Sequence, residues 1–558
     1  MTGGQAARRP GGLVHRARLA AVVCMALTAQ PPSRLAAQSS RLWRPEERAF
    51  ATDLSRVTAV AATQTVVYAA TPNGLAVYDA GFRVWRETVG PMDGYPGGLV
   101  TTMTADPSDD TAWLGGRGFW AAWHAFGRRW ETGTLPGVAE VVVLDARDPA
   151  RGAFYRVAGQ WHVVSRMSGV AMSAIDVPPP GRRHGPLSAE EVRRRMPAFE
   201  AVRLRIERDD FLRSWPITAV AATPVGGRGD LFVATDGNGL FRVDAVSAQV
   251  ERLPAGLLGS AIGAVAERGG TVCAGSEDRL GTRRRAVTCF DEELRRFEYF
   301  ERGAGLAGLP GAEVRDVAVA DRAIWVATEQ GLLRIDRRAQ RAEQLRGDDL
   351  PSDDVGALME GAGGVWAGTT SGLVWVADTG RSRADPTDVS LAVSGLARRR
   401  DTLWLATSFG VLARPAAPDL EATSGRVRVE SQGVEEGALA IAAGDGGVLA
   451  ATHNRLMWIA GDSAVWLPPP PLTVGGGGGG GGVVRAIAAD GDGFWVAGAR
   501  GIGLLRPATG GAGGGQWLAF IAPGDLPAPV TDLLATGRWL WVATERGVLR
   551  FDRRAVLR

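Results

Sequence analysis

The chain has 558 residues, 45% of them hydrophobic, with 76 glycines and a formal net charge of +3. That is apolar material for a large core or a repeat array, and glycine without a triplet period suits tight turns rather than a collagen rod. All the basic residues are Arg, and 60 Asp and Glu are interspersed among them; this balance argues against a nucleic-acid partner, which needs base gathered on one face.

At the N-terminus, Arg8, Arg9, Arg16 and Arg18 precede an apolar run over 19–29, and Leu35-Ala36-Ala37 offers a cleavage site before Gln38. Residues 1–37 therefore read as an export signal peptide. The run is too short to span a bilayer and no later stretch is long and apolar enough, so a periplasmic or secreted protein with no integral membrane segment after signal cleavage is expected, an uncleaved N-terminal anchor being the other reading. Cys24 lacks the small preceding residue of a lipoprotein signal, which argues against a lipid anchor.

From residue 38 onward one phrase recurs: Trp-Val-Ala-Thr, a short turn, then Gly-Leu-hydrophobic-Arg-hydrophobic-Asp. Trp325 to Asp336 and Trp541 to Asp552 are clear copies, and Leu231 to Asp244 is a third. Each unit predicts four short antiparallel strands, apolar on both faces, with a turn glycine between the second and third. Gly74, Gly118, Gly239, Gly331, Gly372, Gly410, Gly501 and Gly547 mark the units, with Arg455 in the place of one glycine. Two degenerate units, Val138 to about Arg166 and Ala261 to about Ala312, bring the total to about eleven. Repetition of small sheets buried on both faces predicts an all-β β-propeller of ten to eleven blades. One closed ring is the expected arrangement, two smaller rings the alternative.

Blades fill 38–166 and 217–558. Between them, 167–216 is a Pro-rich and helical insertion: Pro178-Pro179-Pro180, then the capping box Ser188-Ala189-Glu190-Glu191 opening a helix to about Arg213. Pro468 to Pro471 followed by Gly475 to Gly482 reads as a flexible outer loop. The last unit stops at Arg558 after its third strand, and Arg41-Leu42-Trp43-Arg44 resembles the outer strands at Arg83–Arg86 and Gln516–Leu518. The N-terminal segment is therefore expected to complete the last blade and cover its edge.

Candidate chemistry is sparse. Cys273 and Cys289 fall on the second and third strands of one unit; an oxidising location makes them candidates for a disulfide, two buried thiols being the other reading. Neither has a paired His or acid that would make it a nucleophile. His124, His162, His184 and His453 lie in different units or the insertion, without metal-ligand spacing. Asp490-Gly491-Asp492-Gly493 lacks the remaining ligands of a calcium loop and reads as a hairpin turn, as does Asp236-Gly237-Asn238-Gly239. The Arg runs 193–195, 283–285 and 398–400 read as exposed, with an anion site as the alternative. Trp120, Trp123, Trp161 and Trp375 depart from the repeat position, and packing is their expected role. No catalytic, cofactor or metal residue is assigned.

The repeated Trp-Val-Ala-Thr and Gly-Leu-hydrophobic-Arg-hydrophobic-Asp units resemble the two-component-regulator propeller repeat. The resemblance implies the periplasmic ligand-binding sensor portion of a hybrid histidine kinase. No kinase, membrane helix or DNA-binding region follows Arg558, so it implies a free-standing exported binding protein with a separate signalling partner. The expected ligand is a small molecule, glycan or protein. Similar-looking propellers also serve streptogramin-lyase-like enzymes, which makes an exported hydrolase or lyase the competing expectation; the scarcity of His favours a non-enzyme.

Overall fold

Short apolar strands separated by glycine turns fold into eleven antiparallel sheets among the described residues. The computed structural model describes residues 43–558 apart from 45, 145–151, 165–170, 176–182, 210–211, 224–228, 278–285, 302–312, 340, 381, 385–390, 418–426, 429–436, 454, 462, 469, 473–482 and 509–513. The signal-peptide reading of 1–37, the Pro178–Pro180 run, the Arg283–Arg285 run and the polyglycine loop lie outside the described residues. In chain order the sheets are sheet 1 (59–89), 2 (100–133), 3 (140–184), 4 (217–253), 5 (261–301), 6 (314–345), 7 (355–384), 8 (393–428), 9 (440–466), 10 (486–521) and 11 (530–552).

Sheet 6 shows how the repeated phrase builds its unit. Its strands are Val314–Val319, Ala323–Thr328, Gly331–Asp336 and Arg341–Leu345. The Thr328 hydroxyl donates to the Gly331 carbonyl at 2.8 Å, closing the turn. Gly331 has φ 123°, and a Cβ there would stand 2.5 Å from the Leu345 carbonyl oxygen, so only glycine fits. Asp336 then accepts from the backbone N–H groups of Arg338 and Ala339, turning the chain into the outer strand. Thr, Gly and Asp of the phrase are thus turn-makers.

The second strand of sheet 6 is buried throughout. Its alternate residues serve opposite neighbours: Ile324 and Val326 pack with sheet 5, Trp325 and Ala327 with sheet 7. Each fully buried side chain of this kind stabilises the stack by roughly 1.5–3 kcal/mol. Cys273 and Cys289 sit directly opposite each other on sheet 5 and are joined as a disulfide facing sheet 6.

First strands lie beside one another in two series. One runs through sheets 10, 11, 5, 6, 7, 8 and 9, and sheet 9 lies beside sheet 10 again. The other runs through sheets 4, 1, 2 and 3. Most first strands carry a β-bulge, and the bulged hydroxyls reach across to the next segment: Thr531 to the Ile262 carbonyl at 2.5 Å, Ser394 to Ala438 at 2.7 Å, Thr218 to Val57 at 2.6 Å.

Sheet 11 takes its fourth strand from the N-terminal segment, as expected, with Arg48–Ala51 as the paired residues; of the expected 41–44 segment, residues 41 and 42 lie outside the described residues. Phe50 and Ala51 are buried there, whereas Trp43 packs edge-on against Phe551 outside the ladder. An apolar-polar resemblance between short segments does not set register; burial of Phe50 does. After Ala51 the chain crosses between the two series, with Leu257 donating to Thr52 and both Gly237 and Gly239 donating to Ser55.

Two further boundaries differ from expectation. Sheet 3 does not end near Arg166: it has a fourth strand, Ala171–Ile175, and a fifth, Arg183–His184, beside its first. The insertion holds two helices, Ala189–Arg195 and Phe199–Glu207, not one running to Arg213. Pro197 separates them, since it has no N–H to continue the first. Ser188 and Glu191 do form the reciprocal capping box, and Val192, Phe199, Val202 and Ile206 pack on sheet 4.

Candidate ligand-binding cleft

Where the N-terminal strap, residues 46–54, meets sheets 1, 5 and 11, the surface opens into a cleft of about 680 Å³. That volume falls in the range of small-molecule sites. Its walls are two hairpins and the strap, and the local sequence explains each.

The first wall is the turn between the third and fourth strands of sheet 1. Asp79 accepts from the N–H groups of Gly81 and Phe82 at 3.0 and 2.9 Å and from Arg86 at 2.5 Å. Burial alone would raise its pKa, but the Phe82 and Gly81 amides and the Arg86 guanidinium outweigh that and hold the carboxyl below its ordinary range. The tight turn pushes Phe82 outward, 83% exposed, beside the buried Trp85.

The second wall is the matching turn of sheet 5. Asp291 accepts from the N–H groups of Arg295 and Arg296, and Leu294 takes φ 57°. This geometry turns Leu294, Arg295 and Phe297 toward the cleft. Glu292 ties the hairpin to sheet 11: its carboxylate accepts from the Trp539 indole at 3.2 Å, and its carbonyl accepts from Arg550.

Arg550 forms part of the lining, and its side chain is only 7% exposed. Its guanidinium stacks 4.0 Å from the Trp539 ring centre, and the carboxylate of Glu293 stands 4.0 Å away. Among the described residues no acceptor meets its Nε. Burial pulls its pKa below the ordinary guanidinium value, against the opposing pull of Glu293. The arrangement is a cation under apolar cover whose desolvation is incompletely compensated.

The candidates singled out by sequence are placed elsewhere. His162, His184 and His453 are separated, and His453 is exposed at its turn. His124 stands 3.3 Å from the Thr111 hydroxyl and 3.3 Å from Glu131, a hydroxyl–imidazole–carboxylate row on sheet 2. Thr111 is 2% exposed, whereas the His124 and Glu131 side chains are 19% and 23% exposed. Asp490 accepts from Trp495 and pairs with Arg553, as a turn residue should. Gly237 and Gly239 adopt positive φ in the other turn. Arg193, Arg194, Arg398 and Arg400 are exposed, while Trp120, Trp123, Trp161 and Trp375 are buried packing residues. No group of three or more metal-ligating side chains occurs among the described residues, and no helix among them is long and apolar enough to cross a membrane.

Sequence reasoning did not single out Arg550, because it occupies the Arg position of the repeat and reads as scaffold. Arg334 at the same position lies over Trp325 at 6.0 Å and likewise has no acceptor at its Nε among the described residues, so what sets Arg550 apart is its place in the cleft. Phe82 left a fainter signal, a large aromatic at a hairpin tip where polar residues are usual.

No family model matches the sequence, and no curated protein matches it. Among solved structures, the chain is similar to PorZ, an essential bacterial surface component of the type-IX secretion system of Porphyromonas gingivalis. The TM-score is 0.52 at 13% identity, over 90% of this chain and 87% of that one. The extracellular domain of BT4673, a putative hybrid two-component system of B. thetaiotaomicron, aligns with TM-score 0.40 at 11% identity, over 89% of this chain and 69% of that one. At such identities the likeness to PorZ is one of fold: the chain is an all-β protein of propeller-like architecture, built from antiparallel, mostly four-stranded sheets.

Proposed function

We propose that the chain is an exported, non-enzymatic binding protein that takes a small ligand in the cleft between Phe82, Arg550 and the sheet 5 hairpin. The observation behind this reading is the cleft itself: exposed aromatic surface beside a buried, under-compensated cation is costly to maintain without a ligand. Sheets 5 to 11 are read as one closed ring, supported by the two first-strand neighbours that each of them has. Sheets 1 to 4 with the helical insertion are read as a second, smaller body. Export rests on the Arg-flanked apolar run before residue 38, and the sensor-like role on the repeat resemblance; a separate signalling partner would read the bound state.

The test is a thermal-shift and Trp-fluorescence screen of small metabolites against the purified chain and its Phe82→Ser variant. A ligand that raises the melting temperature of the wild type, loses most of that effect in the variant and is recovered chemically unchanged supports the reading. Conversion of the ligand would instead favour the hydrolase or lyase. Among the described residues the Thr111–His124–Glu131 row speaks for that alternative, and a His124→Ala variant would then abolish turnover.

A further inference from the structure

Resting on the reading of the cleft as a ligand site, we propose that its ligand is an amphiphile: an anionic head on Arg550 and an apolar arm along Phe82, Val84 and Phe297. The charges in the cleft are equal in number but unlike in circumstance. Asp79 is consumed by Arg86 and two backbone N–H groups. Glu46 and Glu293 are exposed, Glu293 to 57%, and water already solvates them. Arg550 is the buried cation of the lining, and its closest carboxylate lies at 4.0 Å, too long for a hydrogen-bonded pair. An entering carboxylate or phosphate would supply the close acceptor that Glu293 does not, in a medium where charge-assisted bonds are strong. Arg295, exposed on the same hairpin, adds a second cation at the opening.

The apolar side is equally specific. Phe82 and Val84 are 83% and 38% exposed, on one hairpin, and both line the cleft with Phe297. Polar ligands would leave this surface wet; a chain or ring would bury it, at roughly 25 cal/mol per Å² covered. Arg550 lies over Trp539, which fixes its plane and leaves it little freedom to lose on binding.

Calorimetry below the micelle concentration, with decanoate, decyl phosphate, decanol and decylammonium as probes, tests this on the full chain. The two acids are expected to bind, decanol about tenfold more weakly, and decylammonium weakest. Glu293→Gln, an exposed substitution that removes the competing carboxylate, should tighten the acids about threefold to tenfold and leave decanol unchanged. Glu200→Gln on the helical insertion is the control and should change nothing. Phe82→Ser should weaken acids and alcohol alike. If decylammonium binds best and Glu293→Gln weakens it, the anionic head is wrong while the cleft stands as a site. If all four bind alike but depend on Phe82, the head is again wrong and only the apolar arm survives. If no probe binds while the metabolite screen finds a Phe82-dependent ligand, the amphiphile is overturned and the binding reading kept; if neither finds one, both fall.

Discussion

In sheets 5 to 11 every first strand has another on each side, and the last sheet borrows its outer strand from residues 48–51. In sheets 1 to 4 the series runs from sheet 4 to sheet 3, and residues 183–187 touch both of those sheets. Arg183–His184 pairs with the first strand of sheet 3, and the Leu187 N–H bonds to Val220 of sheet 4. Both groups use the same strand chemistry, but one satisfies its edges by repetition and the other by an irregular insertion. Chain order explains the difference. The strand that completes sheet 11 comes immediately before sheet 1, so sheets 1 to 4 sit within the connection from that strand to sheet 5. The cleft lies where this inserted group leaves the regular one, lined by residues of the strap and of both groups.

Phe50 offers the largest test of that arrangement. It is 4% exposed, packs in the core shared by sheets 10 and 11, and a Cβ on Gly90 of the other group would stand 2.7 Å from its ring. Phe50→Ala should cost about 3–5 kcal/mol, the usual range for a buried aromatic truncation. If the strap is the main tie between the groups, hydrogen exchange should rise first along Gly547–Asp552 and at the Thr52–Leu257 contact, before sheets 6 to 8 respond. Uniform acceleration over all eleven sheets would mean that the two groups unfold as a single cooperative unit.

A second difference is electrostatic. In the seven-sheet series two carboxylates take part in the cross-links between first strands. Asp532 accepts from the N–H groups of Val265 and Leu533, and Asp316 from those of Leu358 and Val317. Thus Asp532 ties sheet 11 to sheet 5 and Asp316 ties sheet 6 to sheet 7. Burial pushes Asp316 up to about 7, with added repulsion from Asp532, and burial pushes Asp532 up to about 6 despite its N–H partners. Each keeps a little accessible surface while lying deep within the surrounding protein. Because folding raises both values above 3.8, the folded state retains protons that the unfolded chain releases. Their contribution is therefore full below about pH 4 and is lost as pH rises through 6 and 7. Asp316→Asn with Asp532→Asn should flatten stability against pH over that window by a few kcal/mol, measured as the difference from wild type in urea melts at pH 4.5 and 7.5. An unchanged slope would place the ionisation of both carboxylates near its ordinary value.

The repeat was legible because its signals are local. Thr328, Gly331 and Asp336 each act within three residues of themselves, so a one-dimensional pattern records them fully. The capping box at Ser188 was readable for the same reason, and Cys273 and Cys289, sixteen residues apart, by their places on adjacent strands of one unit. The register of the N-terminal strand was not, because it depends on Phe50 meeting residues nearly five hundred positions away. Arg550 was hidden differently: its repeat position assigns it to the scaffold, and only the neighbouring hairpin of sheet 5 makes it a buried charge beside a cleft. Two smaller rings stood as the alternative to one, but which sheets join which group was out of reach, since similar strands pack beside whichever neighbour the long connections deliver.

Ser188→Ala probes the least regular part and should have the smallest effect. The Ser188 hydroxyl accepts from the Glu191 N–H at 3.3 Å, while the Glu191 carboxylate accepts from the Ser188 N–H at 2.8 Å. Losing the hydroxyl should cost about 1 kcal/mol, typical of an N-cap. The Ser188 N–H contact holds the Glu191 pKa below its ordinary value, so that share of stability is present above about pH 4.5 and fades as pH falls. The helix packs on sheet 4 through Val192. Its loosening should raise proteolysis around Met196–Pro197 and exchange along Leu231–Thr235, leaving Trp325 and Trp541 in their native fluorescence environment. Should those tryptophans respond as strongly as sheet 4 does, the insertion would be coupled to the seven-sheet series as tightly as the sheets are to one another.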